Sequence, residues 1–240
     1  MFIPILAAGA LVVSSTFSYP QCLQRSERQP ADALEMAMNA LVDGEDPTAE
    51  HCAAVALVGL KQYAEAARRL DALARKASAG DTEMRAELLN QAGNAWLLAG
   101  EATLAAASFT AAVGLMPGEA LHLIDRARAW GAQKKWSQAE TDLSAALVAD
   151  PGNVEALVLR SSARRAMKNL QGARGDITQA LILEPENVEA LAERGLIRAA
   201  SGDRNGARQD FLKVLEKAPN GPAAASARRE IERLEVKKSR

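Results

Sequence analysis

The sequence contains few of the residue types from which most metal and catalytic sites are built. Its 240 residues include two cysteines, two histidines and only 4% aromatic residues. Zinc sites need clusters of Cys and His at short spacing, and His51 beside Cys52 has no second pair of that kind. No glycine-rich phosphate loop, serine nucleophile elbow or HExxH helix occurs either. We therefore predict no catalytic residues, no metal site and no cofactor.

An excess of charge of one sign is also absent. The chain has 29 basic and 30 acidic residues, which gives a net charge of −1. Nucleic acids and anionic membranes attract positively charged surfaces, and the few aromatic residues offer little for stacking on single-stranded nucleic acid. We therefore expect no nucleic-acid partner. What the chain does contain is long stretches rich in Ala and Leu, which favour helices over strands.

The N-terminal segment carries no charged side chain, and residues 2–13 form an apolar run. Small and polar residues follow, as in a secretory signal peptide. Thr16 and Ser18 suit the small positions before a cleavage site, which predicts a signal peptide at residues 1–18 and a cut before Tyr19. No Lys or Arg precedes the run, so the alternative is an uncleaved anchor within residues 1–23. A bilayer-spanning helix needs about 20 apolar residues, and this run is shorter.

Export would place the chain in the periplasm or outside the cell, and the anchor would hold it on the inner membrane facing the periplasm. In such an oxidising compartment Cys22 and Cys52 can form a disulfide. It would close a loop of 31 residues, both cysteines included, and fasten an extended N-terminal segment to a helix. The alternative is two unrelated thiols, with Cys52 buried on an apolar face.

Prolines recur every 34 residues, at Pro117, Pro151, Pro185 and Pro219. Alanine lies twelve residues before each of them, at Ala105, Ala139, Ala173 and Ala207. A large apolar residue lies eight before, at Phe109, Leu143, Ile177 and Phe211. Each unit therefore reads as two helices joined by a tight turn, with the proline ending the second helix. The small residues allow the two helices to approach closely.

The segment LLNQAGNAWLLAGEATLAAASFTAAVGLMP carries the preferred residues of one known repeat, at Leu89, Gly93, Trp96, Gly100, Ala105, Phe109, Ala112 and Pro117. The units thus resemble tetratricopeptide repeats. The resemblance implies an all-α, right-handed superhelical solenoid of five repeats, at residues 47–85, 86–119, 120–153, 154–187 and 188–221. Residues 19–46 would hold an N-terminal segment with a capping helix at 31–41, and residues 222–240 a C-terminal capping helix.

Two sets of residues invite a functional interpretation but fit a structural one better. Arginine at the seventh position of a repeat is followed sixteen residues later by aspartate, in the pairs Arg126 and Asp142, Arg160 and Asp176, and Arg194 and Asp210. We predict an ion pair within each hairpin, because an active site is not normally built three times in register. Trp96, Trp130 and Trp136 lie at packing positions, so we predict that they belong to the core.

In tetratricopeptide arrays the second, fifth, ninth and twelfth positions of each first helix line the concave surface. The resemblance therefore implies a peptide-binding groove that contains Asn90, Asn94, Leu121, Ile124, Arg128, Val158, Ser162, Arg165 and Leu196. Asn94 and Arg128 would hold a peptide backbone or carboxylate, while the apolar residues suit an amphipathic helix or extended peptide. The alternative is ordinary groove lining with no single ligand.

The family resemblance implies a non-catalytic scaffold or adaptor for a protein or peptide partner, and the N-terminal segment places it in a bacterial cell envelope. The fifth positions lack the lysines with which some family members bind chaperone tails; they hold His51, Asn90, Ile124, Val158 and Ala192. Three alternatives stay open. They are a membrane-tethered assembly factor anchored by residues 1–23, a self-associating structural protein, and an enzyme with its site in the groove.

Overall fold

A computed structural model of the chain describes residues 17–236. Their thirteen α-helices are α1 Tyr19–Arg28, α2 Pro30–Ala40, α3 Pro47–Gly59, α4 Tyr63–Lys76, α5 Thr82–Leu98, α6 Ala102–Leu115, α7 Ala120–Ala132, α8 Trp136–Ala149, α9 Val154–Ala166, α10 Leu170–Leu183, α11 Val188–Ala200, α12 Arg204–Lys217 and α13 Pro222–Val236. The predicted all-α fold is confirmed. The predicted signal peptide, apart from its last two residues, and residues 237–240 lie outside the described range. Within that range, no helix has both the length and the apolarity to cross a membrane.

The start of the described chain differs from the prediction of an extended segment, because residues Tyr19–Arg28 form a helix. Pro20 sits in its first turn, where a missing amide hydrogen costs nothing. Arg25 and Arg28 lie in its last turn, where positive charge is favourable. Helix α1 packs against both α2 and α3. The helix predicted at 31–41 is α2, and a short 3₁₀ helix, Leu41–Asp43, follows it.

Consecutive helices from α3 to α12 pack against each other as antiparallel hairpins, and each hairpin packs on the next. The first helices of neighbouring units also meet, since α5 contacts α7, α7 contacts α9, and α9 contacts α11. These first helices form one surface, which we call the inner groove. Helix α5 begins at Thr82, four residues before the predicted repeat start at Ala86. The exact division into five repeats and two caps stays a prediction.

The positions that recur with the 34-residue period form the core. Ala105, Ala139, Ala173 and Ala207 are buried, as are Phe109, Leu143, Ile177 and Phe211. Close approach between helices also requires glycine at the eighth position of two units. A Cβ added at Gly93 would lie 2.5 Å from Cε1 of Phe109, and one at Gly195 would lie 2.6 Å from Cε1 of Phe211. The aromatic rings therefore occupy the space that a side chain would need.

The fifteenth position of every predicted repeat adopts the left-handed backbone conformation, at Lys61, Gly100, Lys134, Lys168 and Gly202. This conformation ends the first helix of the hairpin, because it turns the next amide back toward the helix. The Asn169 amide, for example, donates to the Arg164 carbonyl at 2.9 Å. Glycine adopts the conformation without strain, whereas lysine does not. The five turns thus share one geometry although only two of them have glycine.

We expect Lys168→Gly to stabilise the protein by about 0.5–1 kcal/mol, because the φ of Lys168 is 66° and glycine removes the clash of its Cβ. Lys168 is exposed, so its side chain contributes little. Urea unfolding followed by circular dichroism measures the change. The reciprocal variant Gly100→Ala should lose a similar amount. A less stable Lys168→Gly protein would mean that the added freedom of the unfolded chain outweighs the relieved strain.

The predicted ion pairs are confirmed, and each is part of a larger network. The carboxylates of Asp142, Asp176 and Asp210 are buried, and each accepts two hydrogen bonds of 2.7–3.1 Å from the arginine sixteen residues earlier. A second donor comes from the eleventh position of the same unit. It is Trp130 Nε1 for Asp142, Arg164 for Asp176 and Arg198 for Asp210. One aspartate therefore fastens the two helices of each hairpin together.

Of the three tryptophans predicted to belong to the core, Trp96 does so, whereas the other two pack against it and are only partly buried. Trp96 is buried, and its Nε1 donates to Asp71 at 2.8 Å. Asp71 also accepts from Ser108 on α6, so it joins neighbouring hairpins. Trp130 and Trp136 are partly buried against the core cluster around Leu143.

Candidate functional site

The inner groove brings most of the predicted peptide-binding residues to one surface, but not all of them are accessible. Leu121 is half exposed, while Val158, Ser162, Arg165 and Leu196 are partly buried. Ile124 and Asn90 are buried instead, with 3% and 4% of their surface exposed. Ile124 packs in the core beside Leu123. These two residues therefore support the groove from beneath.

The polar residues at the start of the groove are held by the carboxylate of Asp125, which the repeat pattern did not predict. Asp125 is 2% exposed and accepts hydrogen bonds from the amide of Asn90 at 2.9 Å and of Asn94 at 3.3 Å. Arg128 forms ion pairs with Asp125 and with Glu155 of the next unit. Asn94 and Arg128, which were expected to hold a peptide backbone or carboxylate, therefore already have partners within the chain.

In the second half of the groove, too, a carboxylate of the chain pairs with the arginine. Arg165 binds Glu193 of the following unit through two hydrogen bonds, of 2.7 and 3.1 Å. Burial raises the pKa of Glu193, although the hydrogen bond and the charge of Arg165 act in the opposite direction. Asp125 and Glu193 both occupy the sixth position of their repeats. That shared position, facing an arginine on a neighbouring turn or unit, is the sequence signal that could have identified them.

The N-terminal end of the groove opens into a cavity of about 920 Å³. It lies between the 3₁₀ helix, the starts of α3 and α5, and the end of α4, and Tyr19 of α1 lines it as well. A smaller cavity of about 480 Å³ lies between the start of α5 and the start of α7. The two cavities share Met84 and Glu87. We call these two adjacent cavities together the N-terminal recess.

A chain of hydrogen bonds runs through the wall of this recess and orders its polar groups. Tyr19 Oη lies 2.8 Å from His51 Nδ1, and His51 Nε2 lies 2.8 Å from Gln91 Oε1. The amide nitrogen of Gln91 then donates to Glu87 at 2.9 Å. Because Gln91 Oε1 can only accept, His51 carries its proton on Nε2, and Tyr19 donates to Nδ1. Burial raises the pKa of Tyr19, so its hydroxyl keeps that proton.

Cys22 and Cys52 form a disulfide in the structure, with Cα atoms 6.1 Å apart. Both are fully buried in a cluster with Ala33, Ala37 and Ala56. The bond joins α1 to α3 next to Tyr19 and His51, and it therefore holds one wall of the N-terminal recess. In residues 17–236, no group of three or more His, Cys, Asp or Glu side chains is arranged to hold a metal ion.

Comparison with solved structures assigns the fold. MamA residues 41 to the end from Desulfovibrio magneticus RS-1 superposes with a TM-score of 0.62, at 22% identity, over 72% of this chain and 96% of that one. A thermophilic TPR protein from Thermus thermophilus gives a TM-score of 0.62 at 18% identity, over 80% of this chain and 100% of that one. The chain has the tetratricopeptide-repeat fold. These likenesses show its fold and leave its activity open.

A third similar structure is the first TPR of Spaghetti (RPAP3), bound to the HSP90 peptide SRMEEVD. It is 30% identical and covers 49% of this chain and 93% of its own, with a TM-score of 0.47. No protein-family model matches this chain, and no curated protein matches it.

Proposed function

We propose that this tetratricopeptide-repeat protein is a non-catalytic scaffold whose inner groove binds a peptide or helix of a partner protein. The observation that carries the proposal is the state of the groove's polar side chains. Asn94, Arg128 and Arg165 already have hydrogen-bonded partners within the chain, so their positions are fixed before any partner arrives. Pre-organised surfaces lose little conformational freedom on binding, and the exposed part of Leu121 supplies apolar contact.

The ion pairs of the groove arginines argue against an acidic peptide as the ligand. Acidic chaperone tails need free cations in the groove, and the groove arginines Arg128 and Arg165 are each neutralised by neighbouring carboxylates. The fifth positions also hold no lysine. A partner that contributes apolar or cationic side chains fits this surface better than an acidic one.

We further propose that the protein works in the cell envelope. The apolar start of the chain supports export, and a buried disulfide is typical of oxidising compartments. Thiol trapping in intact cells tests this with the native chain. Because both cysteines are fully buried, the cells are denatured in the presence of the maleimide. Export predicts that neither cysteine reacts under these conditions until a reductant is added. The mass of the recovered protein and its membrane or soluble fraction then distinguish a cut before Tyr19 from an uncleaved anchor.

Site-specific photocrosslinking in cells tests the groove. A photoreactive amino acid at Glu189, an exposed groove position on α11, should capture a partner protein, and so should one at Ser162 on α9. The matched control is Val148 on the second helix of its hairpin, which is 83% exposed. Capture confined to the two groove positions would support the scaffold. Equal capture at Val148 would move binding to the outer surface, and capture at no position would contradict a stable protein partner.

A further inference from the structure

The N-terminal recess carries several carboxylates with which no described lysine or arginine forms a salt bridge. Five of its carboxylates form no salt bridge with any described residue: Asp46, Asp81, Glu83, Glu87 and Glu119. The only lysine or arginine among the lining residues is Lys76, and Glu45 already pairs with it at 2.7 Å. The net charge of the whole protein is only −1, so this negative surface is local.

The same recess exposes apolar surface between its carboxylates. Met84 and Leu121 are each 50% exposed and Val42 is 81% exposed, and all three line the recess. Met84 lies where the two cavities meet. Large exposed apolar side chains that share one concave surface are typical of binding sites, and methionine adapts to ligands of varied shape.

A buried polar group in the recess also lacks a partner. His122 lines the smaller cavity and is 4% exposed, yet its Nδ1 has no hydrogen-bond partner. Leaving a buried polar atom unpaired costs about 1–3 kcal/mol, and native structures rarely do so without a reason. The unpaired Nδ1 of His122 is thus an unusual feature of the recess that is independent of its acidic rim.

We propose that the N-terminal recess binds a cationic segment of a partner protein, in which lysines or arginines flank one or more large apolar side chains. The apolar side chains would enter between Met84 and Leu121, and the cations would meet the acidic rim. The Tyr19–His51–Gln91 chain of hydrogen bonds holds Glu87 in place for such a contact. The inference rests on the proposed scaffold function and names where on the groove, and through which chemistry, the partner is recognised.

Binding of three short labelled peptides to the full chain, measured by fluorescence anisotropy, tests this inference. The first peptide alternates Lys with Leu in an amphipathic pattern, the second replaces its Lys with Glu, and the third replaces its Leu with Ala. We expect only the Lys/Leu peptide to bind well, and its affinity to fall between about 50 and about 300 mM NaCl as screening increases. Equal binding of the Glu/Leu or the Lys/Ala peptide would overturn the proposal.

Charge reversal locates the site. Glu83→Lys/Glu119→Lys changes two exposed rim residues and should weaken the Lys/Leu peptide by about tenfold or more. The matched control Glu216→Lys/Glu232→Lys makes the same change of net charge on exposed residues of α12 and α13, outside the groove and the recess, and should leave the affinity within about twofold. Circular dichroism confirms that both variants fold. Equal losses in both variants, or no loss in either, would refute a site in the recess.

The outcomes separate this inference from the scaffold itself. One outcome is that a partner is captured at Glu189 and Ser162 to the same extent with and without the Glu83→Lys/Glu119→Lys change. That result would refute binding in the recess and still support binding in the groove. If neither groove position captures a partner in the protein without the charge reversal, the proposed scaffold function is refuted as well. Sedimentation shows whether the protein self-associates. If it does, and the same charge reversal abolishes the self-association, the recess binds a second copy of this chain, and the proposal of a cationic partner segment is overturned.

Discussion

The Asp176→Ala variant should lose about 3 kcal/mol of unfolding free energy. Asp176 is buried, and it accepts hydrogen bonds from both Arg160 and Arg164. Removing the carboxylate takes their shared partner from two largely buried guanidinium groups, and breaking a buried pair in this way costs about 3–5 kcal/mol. We take the lower value because 16% and 21% of the two arginine side chains remain exposed to water.

Urea unfolding with tryptophan fluorescence measures the loss. Gln171→Ala on the same helix is the matched control, since Gln171 is exposed, and it should change stability by less than about 0.5 kcal/mol. The peptide affinity of the recess should survive in the folded Asp176→Ala protein, because the substitution lies outside the recess. A variant as stable as the parent would mean that water replaces the carboxylate at little cost.

Hairpin packing could be predicted from the sequence because it is repeated. The 34-residue period places the same residue types at the same contacts several times, so chance agreement at one position matters little. Arg160 and Asp176 show the benefit: three copies of one spacing identified an ion pair that a single copy would not. The left-handed turn at Lys168 follows from register with Gly100 and Gly202, even though lysine gives no local signal for it.

Which groove residues already have partners within the chain could not be predicted in the same way. Position rules state which residues face the groove, but they do not state whether those residues are free. Asp125 accepts hydrogen bonds from Asn90 and Asn94 and forms an ion pair with Arg128. These residues lie on different turns of two helices. Such a network depends on the rotation of α5 against α7, and that rotation is a property of tertiary packing.

The N-terminal recess escaped prediction for a related reason. It is formed where the regular repeats begin, from residues on α1, α3, α4, α5 and the start of α7. The first predicted repeat, residues 47–85, is five residues longer than the later ones. Ala77, Ser78 and Asp81, which lie between its second helix and α5, line the recess. Here the deviation from the pattern is the informative feature, because binding sites of repeat proteins occupy surfaces that the stacking contacts leave open.

Removal of the disulfide should have the largest local effect on the N-terminal end. The bond closes a loop between residues 30 apart in sequence, and constraining a loop of this length stabilises by about 3–4 kcal/mol in the loop-entropy description. Cys22→Ala/Cys52→Ala is the suitable variant, since both sulfurs are fully buried and alanine adds no polar group. In a solenoid each unit contacts only its neighbours, so the loss should concentrate in α1, α2 and α3.

Hydrogen exchange resolves the position of that loss. We expect protection of the α1 and α3 amides to fall by an amount equivalent to about 3–4 kcal/mol, while the amides of α9 and α11 change little. Reductant should have the same effect on the parent protein and none on the variant. Since Tyr19 would leave His51 as α1 detaches, the Lys/Leu peptide should also bind more weakly. Uniform loss of protection along the chain would instead mean that the hairpins unfold as one cooperative unit.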